Sequence, residues 1–340
     1  MRFNQLRRRE FITLLCGAAA APSTLWPLAA RAQQPDRMRR IGVLMGFAES
    51  DSEAQAYFAA FREELQKLGW TEGRNIRIDT RWAAADAEAI QRFAQELVAL
   101  QPDLILSQVT LTTAALLQQT RTIPIVFAMV ADPVGSGFVA SLSRPGGNAT
   151  GFASNEGSMS GKWLELLKEI APRVARVAML FNPATAALFA EYYLNPFKAA
   201  AASFAVEAIA APVRDRSELE SVVAAQARES NRGLIVIPDA FTNAHRAEIT
   251  SLAARYRLPA VYSSRQFTEL GGLLSYGFDR LDNFRRAAIY ADRILKGEKP
   301  SELPVQAPVK FELVINLKVA KALGLDVPLH LQQRADEVIE

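Results

Sequence analysis

Hydrophobic and polar positions alternate along the chain in a way that predicts strands and helices in regular succession. Ile41–Met45 is a short apolar run, which is typical of a buried strand. The apolar residues that follow recur at steps of four and three, and Ser50 and Glu53 have capping-box spacing, so a helix is expected to begin there. The same alternation continues to residue 130. The strands predicted in this half are Ile41–Met45, Ile76–Trp82, Leu104–Ser107 and Ile125–Val130.

The second half of the chain repeats this succession. Asp215 and Glu218 mark one helix start, a long helix is predicted at Leu281–Leu295, and Phe311–Leu325 is predicted as a strand followed by a helix. Continuous apolar strands separated by helices are typical of parallel sheets that are covered on both faces. The expected fold class is therefore α/β, with two doubly wound parallel-sheet lobes. The strands predicted here are Val177–Phe181, Val206–Ala210, Leu234–Ile237, Ala260–Ser263 and Leu273–Tyr276.

Three segments rich in glycine or proline interrupt the pattern. They are Arg144–Gly151, the pair Gly271-Gly272 and Lys299–Pro308. Such segments disfavour regular structure and predict linkers. Three linkers between two similar halves indicate a chain that crosses back and forth over a hinge, because two domains in simple succession need only one. The expected lobes are 33–150 plus 272–304, and 151–271 plus 305–340.

The first 32 residues have the pattern of an export signal. Three arginines at 7–9 precede an apolar stretch, Phe11–Ala21, and Ala30–Ala32 supplies a small-x-small cleavage signal. The order Arg-Arg-x-Phe-Ile resembles the twin-arginine signal of bacteria, which implies a cleaved leader and a periplasmic protein. One alternative is an uncleaved membrane anchor, although the apolar stretch is short for a bilayer span. The other alternative is lipid attachment at Cys16.

Composition and charge narrow the classes of function. The 340 residues carry a formal net charge of +3, but the first 32 hold five arginines and one acid, so the remainder is slightly acidic. Nucleic-acid binding therefore lacks the basic surface that it needs. One cysteine and two histidines exclude a disulfide framework and a His-rich or thiolate metal site. Because the sequence also lacks dinucleotide, phosphate-loop and hydrolase-elbow motifs, we expect no cofactor, no metal and no catalytic residue.

Ligands of open parallel sheets bind at the carboxyl ends of the strands, where loops and helix N-termini converge. That rule selects residues in the loops after the predicted strands. Thr110 and Thr112, at the start of a helix predicted at Thr112–Gln119, would suit a ligand carboxylate. The acids would suit an ammonium group, and the aromatic rings would cover an apolar body. The candidates from these loops are Phe47, Glu49, Thr110, Thr112, Asp132, Asn182, Asp239, Phe241, Tyr262 and Tyr276.

Each of these candidates also has a purely structural interpretation. Thr112 would serve as an N-cap, Asp132 before a proline is a common turn residue, and Asn182 marks a helix entry. Tyr262 and Tyr276 stand at strand ends, where they would belong to the rim of a core. The residues alone leave both interpretations open.

Several longer motifs together resemble one protein family. The segments that carry the resemblance are Gly69–Asn75, Pro124–Phe127 with Asp132–Gly135, Arg144–Asn148 and Phe311–Asn316. In these segments the chain is similar to the substrate-binding proteins of ABC transporters of the tryptophan-binding type. The resemblance covers essentially the whole chain after the leader. It implies a type I periplasmic binding fold, in which three crossings join two α/β lobes and the ligand lies between them.

The resemblance also implies a function and partners. The ligand would be a small amino-acid-like solute, aromatic or branched, bound by a monomer without a cofactor and delivered to an ABC permease and ATPase at the inner membrane. Carried onto this sequence, the family's binding loops add Ser50 and Ser154–Asn155 to the candidates. Val109–Thr113 departs from the Gly/Ala/Pro-rich turn common in the family, so the hydroxyl that meets the ligand stays open.

Three functions fit the sequence. The binding component of an ABC importer is favoured, and it predicts one ligand per chain without turnover. A periplasmic sensor that signals to a membrane receptor would have the same leader and lobes. An enzyme on the same scaffold would need a nucleophile and a base at hand, and the sequence offers no convincing pair.

Overall fold

The structure is a computed structural model that describes residues 38–154 and 156–340. The predicted leader, the alternative lipid site at Cys16 and the candidate Asn155 lie outside the described residues. From residue 38 onward, strands and helices alternate as predicted. The first elements are β1 (Arg39–Met45), α1 (Ser52–Lys67), β2 (Ile76–Trp82), α2 (Ala87–Ala99), β3 (Leu104–Gln108), α3 (Val109–Gln119), β4 (Ile125–Val130) and β5 (Ala149–Ala153).

These five strands form one parallel sheet in the order β2-β1-β3-β4-β5. The inner strands β3 and β4 are buried at every position, because helices cover both faces of the sheet. The edge strand β2 is mostly half-buried, which agrees with its mixed polar sequence. We call this sheet and the helices that pack on it the first lobe.

The rest of the chain forms a seven-stranded sheet in the order β12-β11-β10-β9-β8-β6-β7. We call this sheet and its helices the second lobe, except for α10, which packs on the first. Its elements and α10 are α4 (Met159–Ile170), β6 (Arg176–Phe181), α5 (Ala190–Ser203), β7 (Glu207–Pro212), α6 (Arg216–Gln226), β8 (Arg232–Val236), α7 (Ala240–Ala244), α8 (Arg246–Arg255), β9 (Ala260–Tyr262), α9 (Arg265–Glu269), β10 (Leu274–Phe278), α10 (Arg280–Leu295), β11 (Phe311–Asn316), α11 (Leu317–Leu323), α12 (Leu329–Arg334) and β12 (Glu337–Ile339).

Two strands, β11 and β12, depart from the predicted parallel arrangement, and they are parallel to each other. β11 is antiparallel to β10, with Phe311 opposite Phe278. The path of the chain explains this direction. β10 ends on the side of its sheet that faces the first lobe, and α10 then packs on that lobe. The returning chain enters the second sheet from the same side, so β11 runs opposite to β10. There the backbone N–H of Asp279 donates to the carbonyl oxygen of Lys310 at 3.1 Å. The two crossing segments therefore run side by side.

The observed crossings correct two predicted boundaries. β5 extends the first sheet to Ala153, past the boundary at 150, and β10 lies in the second sheet although the boundary at 272 put it in the first lobe. Two of the glycines in the predicted linkers, Gly151 and Gly272, allow close packing instead. A Cβ atom at Gly151 would lie 2.0 Å from the carbonyl oxygen of Phe127, and one at Gly272 would lie 2.6 Å from the ring of Tyr262.

The start of α1 differs from the prediction in a way that matters for the site. Asp51, not Ser50, is the N-cap: its carboxylate accepts hydrogen bonds from the backbone N–H groups of Glu53 at 2.9 Å and Ala54 at 3.1 Å. The side chain of Glu53 is therefore not tied back to the cap. It is buried, with 8% of its surface exposed. At α6 the predicted cap Asp215 is confirmed.

The helix α10 belongs to the first lobe by packing, although it follows a strand of the second sheet. The ring of Phe284 stacks on the ring of Tyr57 in α1, with centroids 5.2 Å apart. Both residues are part of the core that covers one face of the first sheet. The long-range return of α10 to this core is what makes the chain cross between the lobes more than once.

We expect Phe284→Ala to lower the free energy of unfolding by about 3–5 kcal/mol, because it removes a fully buried ring and leaves a cavity. Urea denaturation followed by circular dichroism measures the change. The control is Ile289→Ala on the same helix, where the side chain is 41% exposed and the loss should stay below about 1 kcal/mol. Equal losses in the two variants would contradict the assignment of α10 to this core.

Candidate functional site

The carboxyl ends of the two sheets meet between the lobes. A narrow cavity of about 20 Å³ lies there, roughly the space of one water molecule. The first lobe contributes Val109–Leu111 and Met129, which follow β3 and end β4. The second lobe contributes Thr185 and Phe189 after β6, and Asp239 after β8. The rule that ligand sites lie at the carboxyl ends of strands thus selects the surfaces that face each other in this structure.

Two of the predicted residues line this cavity. Thr110 is buried in the first turn of α3, and its hydroxyl accepts a hydrogen bond from the backbone N–H of Ala131 at 3.0 Å. Asp239 reaches the cavity from the other lobe, at the N-cap of α7. The structure therefore brings together one hydroxyl and one carboxyl group that the sequence placed in separate halves of the chain.

The carboxylate of Asp239 is fully engaged within its own lobe. It accepts hydrogen bonds from the backbone N–H of Thr242 at 2.8 Å, the hydroxyl of Thr185 at 3.0 Å and the backbone N–H of Asn182 at 3.1 Å. Burial raises the pKa of Asp239 to about 6, because these bonds only partly offset the loss of water around the charge. Asp239 therefore links the segments that follow β6 and β8 by hydrogen bonds.

Thr112 and Asn182 serve local structure. Thr112 is not the N-cap of α3, which begins at Val109; its hydroxyl bonds to Ser107 at 2.9 Å and to the backbone carbonyl of Gln108. The side chain of Asn182 accepts hydrogen bonds from the next turn and donates to the carbonyl oxygen of Arg214 at 2.8 Å. Each of these two side chains is thus hydrogen-bonded within its own lobe.

The predicted aromatic residues pack into cores. Tyr262 is buried and stacks on Phe267 with centroids 4.8 Å apart, and its burial raises the pKa of the hydroxyl. Tyr276 stacks on a ring of β11. The ring centroid of Phe241 lies 4.4 Å from that of His245, and Phe47 is buried in the first lobe. The interpretation of the tyrosines as core residues is the one that this packing favours.

The remaining candidates lie outside the cavity or outside the described residues. Glu49 and Ser50 are exposed. Asp132 accepts a hydrogen bond from the backbone N–H of Gly135 at 2.8 Å, as a turn residue does, and its φ of 41° is in the left-handed region. Asn155 is not among the described residues.

A larger interlobe cavity contains residues that the sequence did not single out. It measures about 330 Å³ and lies between α1 and the junction of β10 with α10. Glu53 and Tyr57 line it from α1, and Arg280 lines it from the start of α10. Gln266 in α9 of the second lobe completes this wall. The cavity therefore has walls from both lobes.

Arg280 connects this cavity to the second lobe. Its guanidinium is buried, and one nitrogen lies 3.1 Å from the side-chain oxygen of Asn243 in α7 and 3.6 Å from the carboxylate of Glu53. A second ion pair bridges the lobes beside it: Arg246 in α8 donates to the carboxylate of Asp51 at 2.7 Å. The N-cap of α1 is thus joined to α8, and the first residue of α10 is joined to α7, across the boundary.

Several buried polar atoms at this boundary have no hydrogen-bond partner within the described part of the chain. A buried polar group without a partner is costly, so each one needs an explanation. Those at the interlobe boundary are both carboxylate oxygens of Glu53, Nε of Arg280, Nδ2 of Asn243 and Nε2 of Gln108.

Sequence reasoning missed Glu53 and Arg280 because both lie inside helices and not in loops. The spacing from Ser50 to Glu53 predicts a capping role for Glu53, and Arg280 stands just before the predicted start of its helix. The signal that could have found Glu53 is its place on the buried face of α1, one turn before Tyr57. A charge on the apolar face of a helix is rarely left without a role.

Among residues 38–154 and 156–340, no helix is long and apolar enough to cross a membrane. The same residues contain no cluster of three or more His, Cys, Asp or Glu side chains that could hold a metal ion.

Residues 40–339 match the model of a family described as ABC transporter substrate binding protein. The chain belongs to this family. Solved structures with the same architecture are type I periplasmic binding proteins, which confirms the expected fold class. As a substrate-binding protein of an ABC transporter, the chain has the two-lobed form that the resemblance implied.

One curated protein and two solved structures are similar to this chain over most of its length. A curated protein of Clostridioides difficile, named as a tyrosine-binding protein, is 26% identical over 265 residues, or 78% of this chain and 75% of the relative. A conserved domain protein of Vibrio cholerae is 28% identical with a TM-score of 0.82, covering 89% of this chain and all of the other. An ABC domain of Streptococcus pneumoniae in complex with L-Trp is 25% identical with a TM-score of 0.82, covering 88% and 99%.

The buried Asp239 should give the substrate-binding protein a characteristic pH dependence. Its pKa is about 6 when folded and 3.8 in the unfolded chain, so between these values the folded state keeps a proton that the unfolded state has lost. The free energy of unfolding should therefore fall as the pH rises from about 4 to about 6. Asp239→Asn should remove this component, as measured by urea denaturation at each pH.

The control for that experiment is Asp215→Asn. Asp215 is also an N-cap, but its bond from the Ser217 hydroxyl lowers its pKa, so its contribution is lost on acidification instead. The two variants should therefore change the pH profile in opposite directions. Parallel changes would contradict the burial of an uncompensated charge at Asp239.

The interlobe ion pair of Arg246 should favour the closed arrangement. Arg246→Gln removes this pair and leaves the Asp51 cap of α1 intact, so we expect a larger fraction of open molecules and a larger radius of gyration by small-angle scattering. The free-energy change is about 1 kcal/mol, as for partly buried pairs. Arg216→Gln, which breaks an exposed pair with Glu248 within the second lobe, should leave the scattering unchanged. A wild-type profile for Arg246→Gln would contradict the expectation.

Proposed function

We propose that this protein binds an aromatic amino acid between its lobes and delivers it to an ABC permease and ATPase for import. The observation that carries the proposal is the concentration of buried polar side chains where the two lobes meet. Arg280 contacts Asn243 across this boundary, and atoms of Glu53, Arg280 and Asn243 there have no partner in the described protein. A boundary of this kind suits a polar solute that bonds to both lobes.

The relatives support the class of ligand. One relative is named as a tyrosine-binding protein, and another was solved in complex with L-Trp. Both ligands combine an aromatic body with an ammonium and a carboxylate. The interlobe cavity of about 330 Å³ has the size of small-molecule pockets, and Tyr57 and Phe278 supply aromatic surface in its wall.

Closure follows from bonds that the ligand makes to both lobes at once. A solute that contacts α1 on one side and α7 or α9 on the other is bound more tightly by the closed arrangement than by the open one, so it shifts the population toward closure. The transporter then distinguishes the loaded protein by its shape. The bound solute leaves unchanged, and the protein acts without a catalytic step.

Export and a monomeric state complete the proposal. The arginine pair and apolar stretch in residues 1–32 support a twin-arginine-type leader that is cleaved on export to the periplasm. One chain contains both walls of the interlobe boundary, so a single copy suffices to enclose a ligand. An importer also needs an ATPase on the inner side of the membrane to use this closure.

Screening the purified protein with the common amino acids by thermal denaturation tests the function. L-tryptophan or L-tyrosine should raise the Tm, because a ligand at one hundred times its Kd stabilises the folded state by about 2.7 kcal/mol. Small-angle scattering should show a smaller radius of gyration with the same ligand. D-tryptophan is the matched control and should shift the Tm less.

Two results would contradict the proposal. One is an unchanged Tm with every amino acid. The other is a ligand that, after release and mass spectrometry, differs chemically from the molecule added, because a binding protein alters no bond.

A further inference from the structure

Glu53 is a buried carboxylate without a hydrogen bond. It stands in the first turn of α1, has 8% of its surface exposed and lines the larger interlobe cavity. Neither of its oxygens has a hydrogen-bond partner within the described residues. Burying such a charge costs several kcal/mol unless donors compensate it. The position therefore offers strong acceptors to whatever enters the cavity.

The other acids around this cavity differ from Glu53 because they already have close cations. Arg265 lies 2.8 Å from Glu269 and 3.3 Å from Glu312, and Lys310 lies 2.9 Å from Asp279. For Glu53 the nearest cation in the cavity wall is Arg280, at 3.6 Å, which is beyond hydrogen-bond distance. Glu53 is thus the wall carboxylate with unused acceptor capacity.

The acids that the sequence proposed for an ammonium group are less suitable. Both oxygens of Asp239 accept bonds from protein donors, and Asp132 accepts a bond from its own turn. Glu49 is exposed. In water an exposed carboxylate binds an ammonium weakly, whereas a buried one forms a strong charge-assisted hydrogen bond.

Two further atoms in the cavity wall define the chemistry of the ligand. Nε of Arg280 is a buried donor without an acceptor, and Oε1 of Gln266 is a buried acceptor without a donor. The acceptor oxygens of Glu53 and Gln266 are complementary to an ammonium group, and the cationic donor of Arg280 beside them is complementary to a carboxylate. The head group of an α-amino acid has these two groups on one carbon.

We propose that Glu53 binds the α-ammonium of the ligand and that Arg280 donates to its α-carboxylate. This inference rests on the proposed function and deepens it by assigning the head group to the cavity between α1, α9 and the start of α10. The aromatic body then extends along the interlobe boundary. A purely structural role, in which Glu53 only neutralises Arg280, is the alternative that the experiment must separate.

The test compares L-tryptophan with indole-3-propionate, which lacks only the ammonium. Calorimetry on the full protein should show that Glu53→Gln weakens L-tryptophan binding about tenfold or more, while indole-3-propionate binds within about twofold of wild type. If L-tyrosine is the better ligand, 3-(4-hydroxyphenyl)propionate replaces the indole analogue. Glu63→Gln, on the exposed face of the same helix, is the matched control and should bind both compounds as wild type does.

The outcomes separate this inference from the proposed function. A folded Glu53→Gln variant that binds L-tryptophan normally, or that loses both compounds equally, overturns the assignment and leaves amino-acid binding intact. Wild-type protein that binds neither amino acid overturns the proposed function and the assignment with it. If circular dichroism shows that Glu53→Gln does not fold, Glu53→Asp takes its place: it keeps the carboxylate and should retain the preference for L-tryptophan, and loss of that preference overturns the assignment.

Discussion

The buried guanidinium of Arg280 is the group on which the arrangement of the two lobes depends. It stands where the chain leaves the second sheet and enters α10, with 5% of its surface exposed. A buried guanidinium is costly unless it has partners, and those of Arg280 come from both lobes: Glu53 in α1 and Asn243 in α7. Separating the lobes would take away one of these partners. The charge therefore couples the position of one lobe to that of the other.

Local patterns were sufficient to predict most strands and helices. Ile76–Trp82 and Ile125–Val130 have the same bounds in the structure as in the prediction, because each is a clear β-type run between polar or turn residues. The pattern does not predict β5, because Gly151 within Ala149–Ala153 is typical of a linker, whereas in the structure it permits close contact with the backbone of Phe127. The direction of β11 depends on the path of α10 through the other lobe, and no window of sequence contains that information.

The structure shows which of the candidate residues lie together and which are bonded within their own lobe. The loops selected by the carboxyl-end rule do face each other, and Thr110 and Asp239 line one cavity. Short polar side chains such as Thr112 and Asn182 are also the best helix caps and turn formers, and here their polar atoms are used for that purpose. Sequence alone cannot distinguish a hydroxyl or amide bonded to its own backbone from one that is free for a ligand. That distinction depends on the hydrogen bonds of the folded protein.

Longer charged side chains are less suited to bonding with their own backbone as caps and turns. Glu53 and Arg280 each belong to a helix of the first lobe. Both side chains nevertheless reach the boundary, and that of Arg280 also contacts the second lobe. A ligand held by one lobe alone has equal affinity for the open and closed states and shifts neither. The cavity that contains Glu53 and Arg280 also has Gln266 of the second lobe in its wall, and Oε1 of Gln266 has no hydrogen-bond partner within the described residues. A ligand that bonds to Gln266 as well as to Glu53 and Arg280 would contact both lobes, and its binding would therefore favour closure.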